Sequence, residues 1–334
     1  MLKLSDIKRV HLEISSVCNA RCPGCPRNLF GYPFNNGYIE HNMSLNEAKI
    51  IFEDIIKQLT HIRINGNFGD AVSNNDTPDI IEWMLKEKSS LNIVISTNGS
   101  AQNKRFWERL GKTGITIEFG IDGFAGTHEL YRQDTNFNTI ITNAKTFMNS
   151  GGIAIGKFID LGYNSSQFDD LSKMLLDIGF QRFNKIVNPR EDFSSYDKKG
   201  NLVFKLKRDE PTIFEELNIR KNNDLILEDI TIDRNPKSCI NCEAKQTKEI
   251  YISSLGDVYP CCYLGVEPKT YGKGKYHQAA NAQFNTWLAK NNALKYSMID
   301  CIEWFNQVEE SWNKQTFNEG RLVICNDVCG VDNV

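Results

Sequence analysis

The stretch Glu13–Asn28, EISSVCNARCPGCPRN, decides the fold because it places three cysteines in one loop directly after an apolar run of strand type. Cys18, Cys22 and Cys25 have the spacing C-x3-C-x2-C, and Gly24 between prolines permits a tight turn. Thiolates in this spacing can bind three corners of a cubane iron–sulfur cluster. The fourth iron then has no protein ligand, and an open metal position is typical of a catalytic site.

Two simpler interpretations of this loop stay open. One is a zinc site with His11 or His41 as fourth ligand, and the other is three unrelated thiols. The distribution of the ten cysteines argues against the second. Three lie before residue 26, and the other seven lie from Cys239 to Cys329. In a large chain such clusters indicate metal or redox chemistry more than disulfides.

Composition narrows the class of protein. With 334 residues and 40% hydrophobic composition, the chain can bury a large core and suggests two domains. Its 39 basic and 42 acidic residues give a net charge of −3 without a basic block, so we expect neither nucleic acid nor a membrane surface as partner. The N-terminus lacks a signal peptide, and no apolar run approaches the ~20 residues of a membrane span. We expect a cytoplasmic protein that acts on a peptide or small-molecule substrate.

Residues 8 to about 190 alternate between β-branched runs and segments of helical periodicity. The six runs are RVHLEIS, HIRIN, NIVISTN, ITIEFGID, AIGKFIDLG and FNKIVN. Ser44 and Glu47 form a capping box before one helix, and Ser165 precedes another that ends at Gly179. This alternation predicts an α/β fold with a parallel sheet curled into a full or partial barrel, and with function at the carboxyl ends of the strands.

The remaining sequence predicts a connector and a second domain. Residues 191–238 are polar and turn-rich, with room for one hairpin, and they separate a domain at 1–190 from one at 239–334. KEIYISSLGDVYPCCYLG predicts a hairpin, and ALKYSMIDCIEWFNQVEESW has helical spacing. Cys262 should point away from Cys261 if its strand continues, and Cys301 lies in the helical segment, so we interpret Cys262 and Cys301 as buried thiols.

A second group of candidate metal-binding cysteines lies in this region. Its candidate ligands are Cys239, Cys242, Cys261, Cys325 and Cys329. Two close cysteine pairs can form a closed zinc site of four thiolates, so a structural zinc ribbon is the alternative to an iron–sulfur cluster.

The first cysteine loop resembles that of the radical SAM superfamily, and the resemblance covers about residues 8–190. It implies a partial (β/α)6 barrel in which S-adenosyl-L-methionine binds the open iron of a 4Fe-4S cluster. An electron from a flavodoxin- or ferredoxin-type donor then produces a 5′-deoxyadenosyl radical, which removes a hydrogen atom from the substrate. The family usually has an aromatic residue where this chain has Gly24, and Phe30 or Tyr32 could substitute for it.

The same resemblance assigns residues to S-adenosyl-L-methionine. NGNFGDA stands in the place of the segment that receives the methionine amino group, STNGS where similar proteins bind the ribose, and THELYR where an arginine pairs with the carboxylate. The assigned residues are Gly66, Asn67, Phe68, Gly69, Asp70, Ser96, Asn98, Asp122 and Arg132. Ordinary turns and an exposed salt bridge of Arg132 are the alternatives. His128 is predicted to be a surface or capping residue.

The segment from Cys242 through Gly256 to Cys261, C-x13-G-x4-C, looks like the opening of the SPASM and twitch auxiliary-cluster domains. Only Cys325 and Cys329 match the SPASM cysteine motif, and ten cysteines are too few for three clusters. The resemblance therefore implies one auxiliary 4Fe-4S cluster in a small α+β domain. Its ligands are Cys242, Cys261, Cys325 and Cys329, or the pair Cys239 and Cys242 with Cys261 and one tail cysteine.

These features predict an enzyme that oxidises, cross-links or otherwise modifies a peptide. The peptide substrate rests on analogy with similar enzymes. A twitch-type dehydrogenase or epimerase of a small metabolite is one alternative, and a non-catalytic, zinc-stabilised binding protein is another. Since the first strand begins almost at once, we expect no separate leader-peptide-binding domain before it. No motif identifies the catalytic acid or base.

Overall fold

The computed structural model describes residues 2–29, 31–33, 39–187, 193–206, 236–270, 286–317 and 319–332. The strands are Arg9–Leu12 (β1), Asn28–Leu29 (β2), Tyr32–Pro33 (β3), His61–Ile64 (β4), Asn92–Thr97 (β5), Thr116–Gly120 (β6), Ile153–Asp160 (β7), Arg182–Val187 (β8), Phe193–Tyr196 (β9), Leu202–Leu206 (β10), Cys239–Ile240 (β11), Glu249–Ile252 (β12), Val258–Tyr259 (β13) and Gly330–Val331 (β14).

The α-helices are Leu45–Phe52 (α1), Thr77–Glu87 (α2), Lys104–Lys112 (α3), His128–Tyr131 (α4), Phe137–Asn149 (α5), Phe168–Asp177 (α6), Glu243–Thr247 (α7), Cys262–Thr270 (α8), Met298–Glu303 (α9), Phe305–Ser311 (α10) and Val323–Cys329 (α11). Short 3-10 turns lie at Leu4–Asp6, Ala71–Ser73, Ser165–Gln167 and Leu288–Lys290. Within the described residues, no helix combines the length and apolar character needed to cross a membrane.

Six parallel strands form the centre of the molecule. β1, β4, β5, β6, β7 and β8 pair in that order, which confirms the predicted series of βα units. On β4, Ile62 and Ile64 are buried in the core shared with the helices, whereas Arg63 between them is exposed. This alternation gives the sheet a helix-covered face and an opposite face, called the inner face below. His11, Arg63, Ser96, Glu118 and Lys157 occupy its alternate positions.

The helix-covered face is packed mainly by aromatic rings. The Phe119 ring centroid lies 5.6 Å from that of Trp107 on α3 and 6.2 Å from that of Phe147 on α5. All three side chains are fully buried. Large aromatic side chains contribute most to such a core, so this layer fixes the strand ends that carry the site.

One of the two predicted helix starts is correct. Ser44 caps α1, and the Glu47 carboxylate accepts a hydrogen bond of 2.7 Å from the Ser44 amide, as a capping box requires. Ser165 instead opens a 3-10 turn, and α6 begins only at Phe168. The Ser165 hydroxyl donates to Asp160, so it cannot cap the helix. Gly179 follows α6 with φ of +108°, which fits the predicted helix end.

The predicted hairpin is present, but it belongs to the barrel sheet. β12 and β13 pair antiparallel around Gly256, whose φ of +82° suits glycine. β12 also pairs in parallel with β1, with Arg9 opposite Glu249. The eight-stranded sheet therefore runs in the order β13-β12-β1-β4-β5-β6-β7-β8. β9 and β10 form the hairpin predicted for the connector.

The two cysteines interpreted as buried thiols differ. Cys301 on α9 is fully buried, as predicted. The strand does not continue through Cys262, because helix α8 begins there, and Cys262 is only partly buried. The long helical segment is divided at Trp304 into α9 and α10.

Candidate active site

The three-cysteine loop lies beyond the carboxyl end of β1. Cys22 is 9% exposed and packs with Cys18 and Cys25, and the Cys25 amide donates to the Cys22 carbonyl at 3.0 Å. Burial raises the pKa of the Cys18 thiol, and the negative charge of Asp70 raises it further. The thiolate form therefore needs a bound cation, which is the condition that a metal centre satisfies.

Neither predicted histidine is oriented as a zinc ligand. His11 Nε2 lies 2.7 Å from the Asn65 carbonyl oxygen, and His41 Nε2 lies 3.1 Å from Glu47 Oε1. Among the described residues, no three Cys, His, Asp or Glu side chains converge to hold a single metal ion. Zinc requires such convergence, whereas each iron of a cubane cluster takes one thiolate. The donor set of this loop fits the cluster better than zinc.

Arg132 is held beside this loop by a buried ion pair. Its Nε donates to Asp122 Oδ2 at 2.6 Å, and its Nη1 lies 4.0 Å from Cys22 Sγ. Asp122 is fully buried and also accepts from the Ile159 amide at 2.7 Å. A Cβ on Gly120 would lie 2.7 Å from Arg132 Nη2, so any larger residue here would force the guanidinium to shift from its observed position. The exposed salt bridge considered for Arg132 is wrong, because its partner has no exposed surface.

His128 is fully buried, so its predicted surface position is wrong. Its Nδ1 accepts from the Asp122 amide at 3.1 Å, and its Nε2 lies 3.1 Å from Thr135 Oγ1. Burial lowers the pKa of His128 to about 4, so the ring is neutral at pH 7 and its Nε2 proton is donated to Thr135. Thr135 in turn donates to the Arg132 carbonyl at 2.6 Å. His128 thus fixes the backbone on both sides of the Asp122–Arg132 pair.

Asp70 joins the ends of β4 and β5. Its carboxylate accepts from the Val72 amide at 3.1 Å, from Thr97 Oγ1 at 2.7 Å, and from the amide and side chain of Asn98 at 2.7 Å each. Asp70 is 6% exposed, and all four of these donors belong to the protein. Asn98 Nδ2 lies 3.7 Å from Cys18 Sγ, so this junction contacts the cysteine loop.

Glu13 is a site residue that the sequence analysis missed. Its Oε1 accepts from the amides of Phe68 and Gly69 at 2.7 and 3.0 Å, and its Oε2 accepts from the Tyr251 hydroxyl at 2.6 Å. The residue is 1% exposed. A Cβ on Gly66 would lie 2.9 Å from Glu13 Oε1, so the loop packs closely on this carboxylate. The only signal in the sequence was an acidic residue between Leu12 and Ile14.

The NGNFGDA loop therefore has partners on β1 and in the C-terminal region. Asn67 Nδ2 donates to the Cys262 carbonyl at 2.9 Å. The His11 ring, which holds the Asn65 carbonyl, packs edge-on against Tyr251 with 5.2 Å between centroids. The C-terminal hairpin and helix α8 thus help to shape a loop that lies nearly two hundred residues earlier in the chain.

Ser96 lies on the inner face and contacts Glu118, which in turn pairs with Lys157, and the sequence analysis missed both of these charged residues. Its hydroxyl donates to Glu118 Oε2 at 2.7 Å, and the same oxygen accepts from Lys157 Nζ at 2.7 Å. Glu118 and Lys157 stand at strand positions that alternate with buried residues. Charged residues at such positions are the signal for a polar inner face.

Four of the five C-terminal candidate thiols line one cavity. They are Cys242, Cys261, Cys325 and Cys329, and Cys239 is not among the lining residues. A hydrogen bond between the thiols of Cys242 and Cys329 lowers the pKa of Cys242 and raises that of Cys329, and burial raises the pKa of Cys261. Cys239 is exposed on β11. Four thiols facing one space fit a fully ligated cluster.

Among known proteins, only solved structures are similar to this chain. The sequence matches no family model, and no curated protein is significantly similar to it. SuiB from Streptococcus suis bound to S-adenosylmethionine superposes with a TM-score of 0.56 and 15% identity, over 95% of this chain and 68% of that one. Native anSMEcpe with bound AdoMet and Cp18Cys peptide superposes with a TM-score of 0.54 and 13% identity, over 97% of this chain and 92% of that one.

The chain has the radical SAM fold. SuiB bound to the precursor peptide SuiA gives a TM-score of 0.57 with 14% identity, over 95% of this chain and 67% of that one. At such low identity the likeness shows the fold alone, and it confirms the predicted partial barrel.

In this radical SAM fold, most predicted site residues meet at the carboxyl ends of neighbouring strands. Chains of contacts join the cysteine loop to Asn98, Asp70, Asp122 and Arg132. Ser96 lies on β5, two residues before Asn98. Phe30, a candidate for the missing aromatic contact, lies outside the described residues, and only the backbone of Tyr32 is described. The domain boundaries at 190 and 239 stay a prediction.

Proposed function

We propose that the chain is a radical SAM enzyme that modifies a peptide. Cys18, Cys22 and Cys25 would bind the 4Fe-4S cluster, and an external donor of the flavodoxin or ferredoxin type would reduce it. When bound, this cluster supplies the electron that splits S-adenosyl-L-methionine into methionine and a hydrogen-abstracting 5′-deoxyadenosyl radical. The observation that carries the proposal is the buried Asp122–Arg132 pair, whose guanidinium lies 4.0 Å from Cys22 Sγ.

Arg132 would bind the methionine carboxylate. Asp122 uses the Nε donor and Nη1 reaches Cys22 Sγ at 4.0 Å, so three of the five guanidinium N–H groups remain to form the hydrogen bonds that a carboxylate prefers. Buried Asp122 keeps the guanidinium charged and oriented. An arginine that is already ordered loses little side-chain entropy on binding, which favours affinity.

The loop from Gly66 to Asp70 would receive the methionine amino group through its backbone. The Asp70 carboxylate accepts four hydrogen bonds from the protein, so we assign it a positioning role at the junction with Asn98. Glu13 fixes the amides of Phe68 and Gly69, which leaves the loop carbonyls as acceptors for an ammonium group. Ser96 and Asn98 stay the proposed ribose contacts.

Cys242, Cys261, Cys325 and Cys329 would bind the auxiliary 4Fe-4S cluster, and Cys239 would not. Their shared cavity favours this set over the alternative with the Cys239–Cys242 pair. A fully ligated cluster held there could accept the electron that a substrate radical loses when it is oxidised. This assignment supports an oxidative outcome, such as a cross-link.

The peptide substrate is supported by two of the similar structures, since SuiB was solved with its precursor peptide SuiA and anSMEcpe with the Cp18Cys peptide. Zinc in the first cysteine loop is disfavoured, because His11 and His41 have other partners. A zinc-stabilised binding protein stays the alternative for the C-terminal thiols, since four thiolates around one space can also form a closed zinc site.

The test is iron content and S-adenosyl-L-methionine cleavage after anaerobic reconstitution. Wild-type protein should hold about eight irons and form 5′-deoxyadenosine under reductant. Cys18→Ala should hold about four irons and form none, and Cys301→Ala, which changes a buried thiol outside both sets, should behave as wild type. Undiminished 5′-deoxyadenosine from Cys18→Ala would refute the proposal.

A further inference from the structure

The inner face of the sheet carries charged residues to which the proposed function gives no role. Arg63 is exposed between buried Ile62 and Ile64, and Glu118 lies between buried Ile117 and Phe119. Both charged side chains therefore project from the face opposite the helices. Arg63 is the next-to-last residue of β4, so it lies close to the carboxyl ends of the strands, where a barrel fold places its active site.

Glu118 is neutralised within this face. Lys157 Nζ lies 2.7 Å from its Oε2, with 12% of the Glu118 side chain and 27% of the Lys157 side chain exposed. Burial alone would raise the pKa of Glu118, but hydrogen bonds from Lys157 and Ser96 and the charge of Arg63 outweigh it and lower the pKa. Glu118 is thus ionised at pH 7 and balances one cation, Lys157.

Arg63 is a second positively charged residue on this face, and it has no carboxylate partner like the one that Lys157 has in Glu118. Across the described residues its guanidinium forms no hydrogen bond and no ion pair. Its register neighbours on the sheet are His11 and Val94. Burial lowers the pKa of His11, whose Nε2 lies 2.7 Å from the Asn65 carbonyl oxygen, so His11 is neutral, and neither it nor Val94 carries a negative charge. Glu118 acts on Arg63 at longer range but is ion-paired with Lys157, and Glu249 on the same face is ion-paired with Arg9. Among the described residues, Arg63 is therefore left without a carboxylate of its own.

We infer that Arg63 binds a carboxylate of the substrate. A guanidinium free of internal partners can bind both carboxylate oxygens, and a half-enclosed face strengthens such a pair relative to open solvent. The inference deepens the proposed function, since it assigns the peptide substrate an acidic side chain or a free C-terminus near the reacting carbon. Arg63 is then a specificity-determining residue.

The test uses reconstituted protein, S-adenosyl-L-methionine, reductant and perdeuterated eight-residue peptides. The peptides carry one central Glu or Gln, each with an amidated or free C-terminus, and the readout is deuterium in 5′-deoxyadenosine. Transfer should be at least about tenfold higher from the carboxylate-bearing member of a pair. Comparing Glu with Gln in the amidated peptides tests for recognition of a side-chain carboxylate. Comparing the free with the amidated C-terminus in the Gln peptides tests for recognition of a terminal carboxylate.

Arg63→Gln should lower this transfer about tenfold or more, Arg63→Lys should retain part of it, and substrate-free cleavage of S-adenosyl-L-methionine should stay unchanged. Arg105→Gln, which changes an exposed arginine on α3, is the matched control. Equal transfer from all four peptides, no deuterium from any of them, or an unaffected Arg63→Gln would overturn the inference while 5′-deoxyadenosine still forms. Loss of 5′-deoxyadenosine in wild type would instead refute the proposed function and the inference with it.

Discussion

Replacing Tyr251 by phenylalanine removes a single hydroxyl, and the structure connects that hydroxyl to the proposed methionine-binding loop. The hydroxyl oxygen lies 2.6 Å from Glu13 Oε2, and the other oxygen of Glu13 holds the amides of Phe68 and Gly69. The phenylalanine ring would keep the edge contact with His11. The substitution therefore isolates one hydrogen bond to a buried carboxylate.

The expected magnitude follows from that bond. A hydrogen bond to a charged group contributes about 1.5–3 kcal/mol, and Glu13 at 1% exposure cannot recover the bond from water. We expect Tyr251→Phe to lower the free energy of unfolding by about 2 kcal/mol. If all of this loss fell on the loop geometry that binds S-adenosyl-L-methionine, the dissociation constant would rise about thirtyfold, which is the upper limit.

The assays are anaerobic denaturant unfolding and calorimetric titration of S-adenosyl-L-methionine, at equal iron content in both proteins. Tyr296→Phe is the control, because Tyr296 is 41% exposed and its hydroxyl has no hydrogen bond in the part of the chain that the structure describes. It should change stability by less than about 0.5 kcal/mol. A Tyr251→Phe protein with wild-type stability and affinity would refute the coupling through Glu13.

Three further predictions concern single residues. The pKa of His128 is lowered to about 4 from 6.5, so the unfolded chain takes up the proton at higher pH than the folded protein does. The free energy of unfolding should therefore fall by about 3 kcal/mol as the pH drops from about 6.5 to 4. In denaturant unfolding, His128→Gln should reduce this dependence on pH. Gly120→Ala should displace the Arg132 guanidinium and weaken S-adenosyl-L-methionine binding at least about tenfold in calorimetry, with iron content unchanged. Cys261→Ala should lose about half of the bound iron, whereas Cys239→Ala should keep it all, as an iron assay can measure.

Local sequence signals account for the strands and for the first cysteine loop. The six parallel strands were predicted because β-branched residues alternate over short runs, a pattern that depends only on neighbours in sequence. The capping box at Ser44 is likewise local. The pairing of β12 with β1 joins residues 240 positions apart, and no local pattern carries that information.

Polar residues inside the fold were harder to predict. His128 has the sequence context of a helix start, and its burial depends on Asp122 and Thr135, which only the folded chain brings to its two ring nitrogens. Glu13 and Glu118 each interrupt an apolar strand, but their partners Tyr251 and Lys157 come from other strands. The sequence can mark such residues as unusual, whereas the structure identifies what they hold.

The proposed function requires that three thiols bind a cluster and leave one iron open to S-adenosyl-L-methionine. The most direct test is the electron paramagnetic resonance spectrum of the reduced protein before and after S-adenosyl-L-methionine is added. We expect a change in the signal of one cluster, present in wild type and Cys261→Ala and absent in Cys18→Ala. A reduced cluster signal in wild-type protein that S-adenosyl-L-methionine leaves unchanged would contradict it.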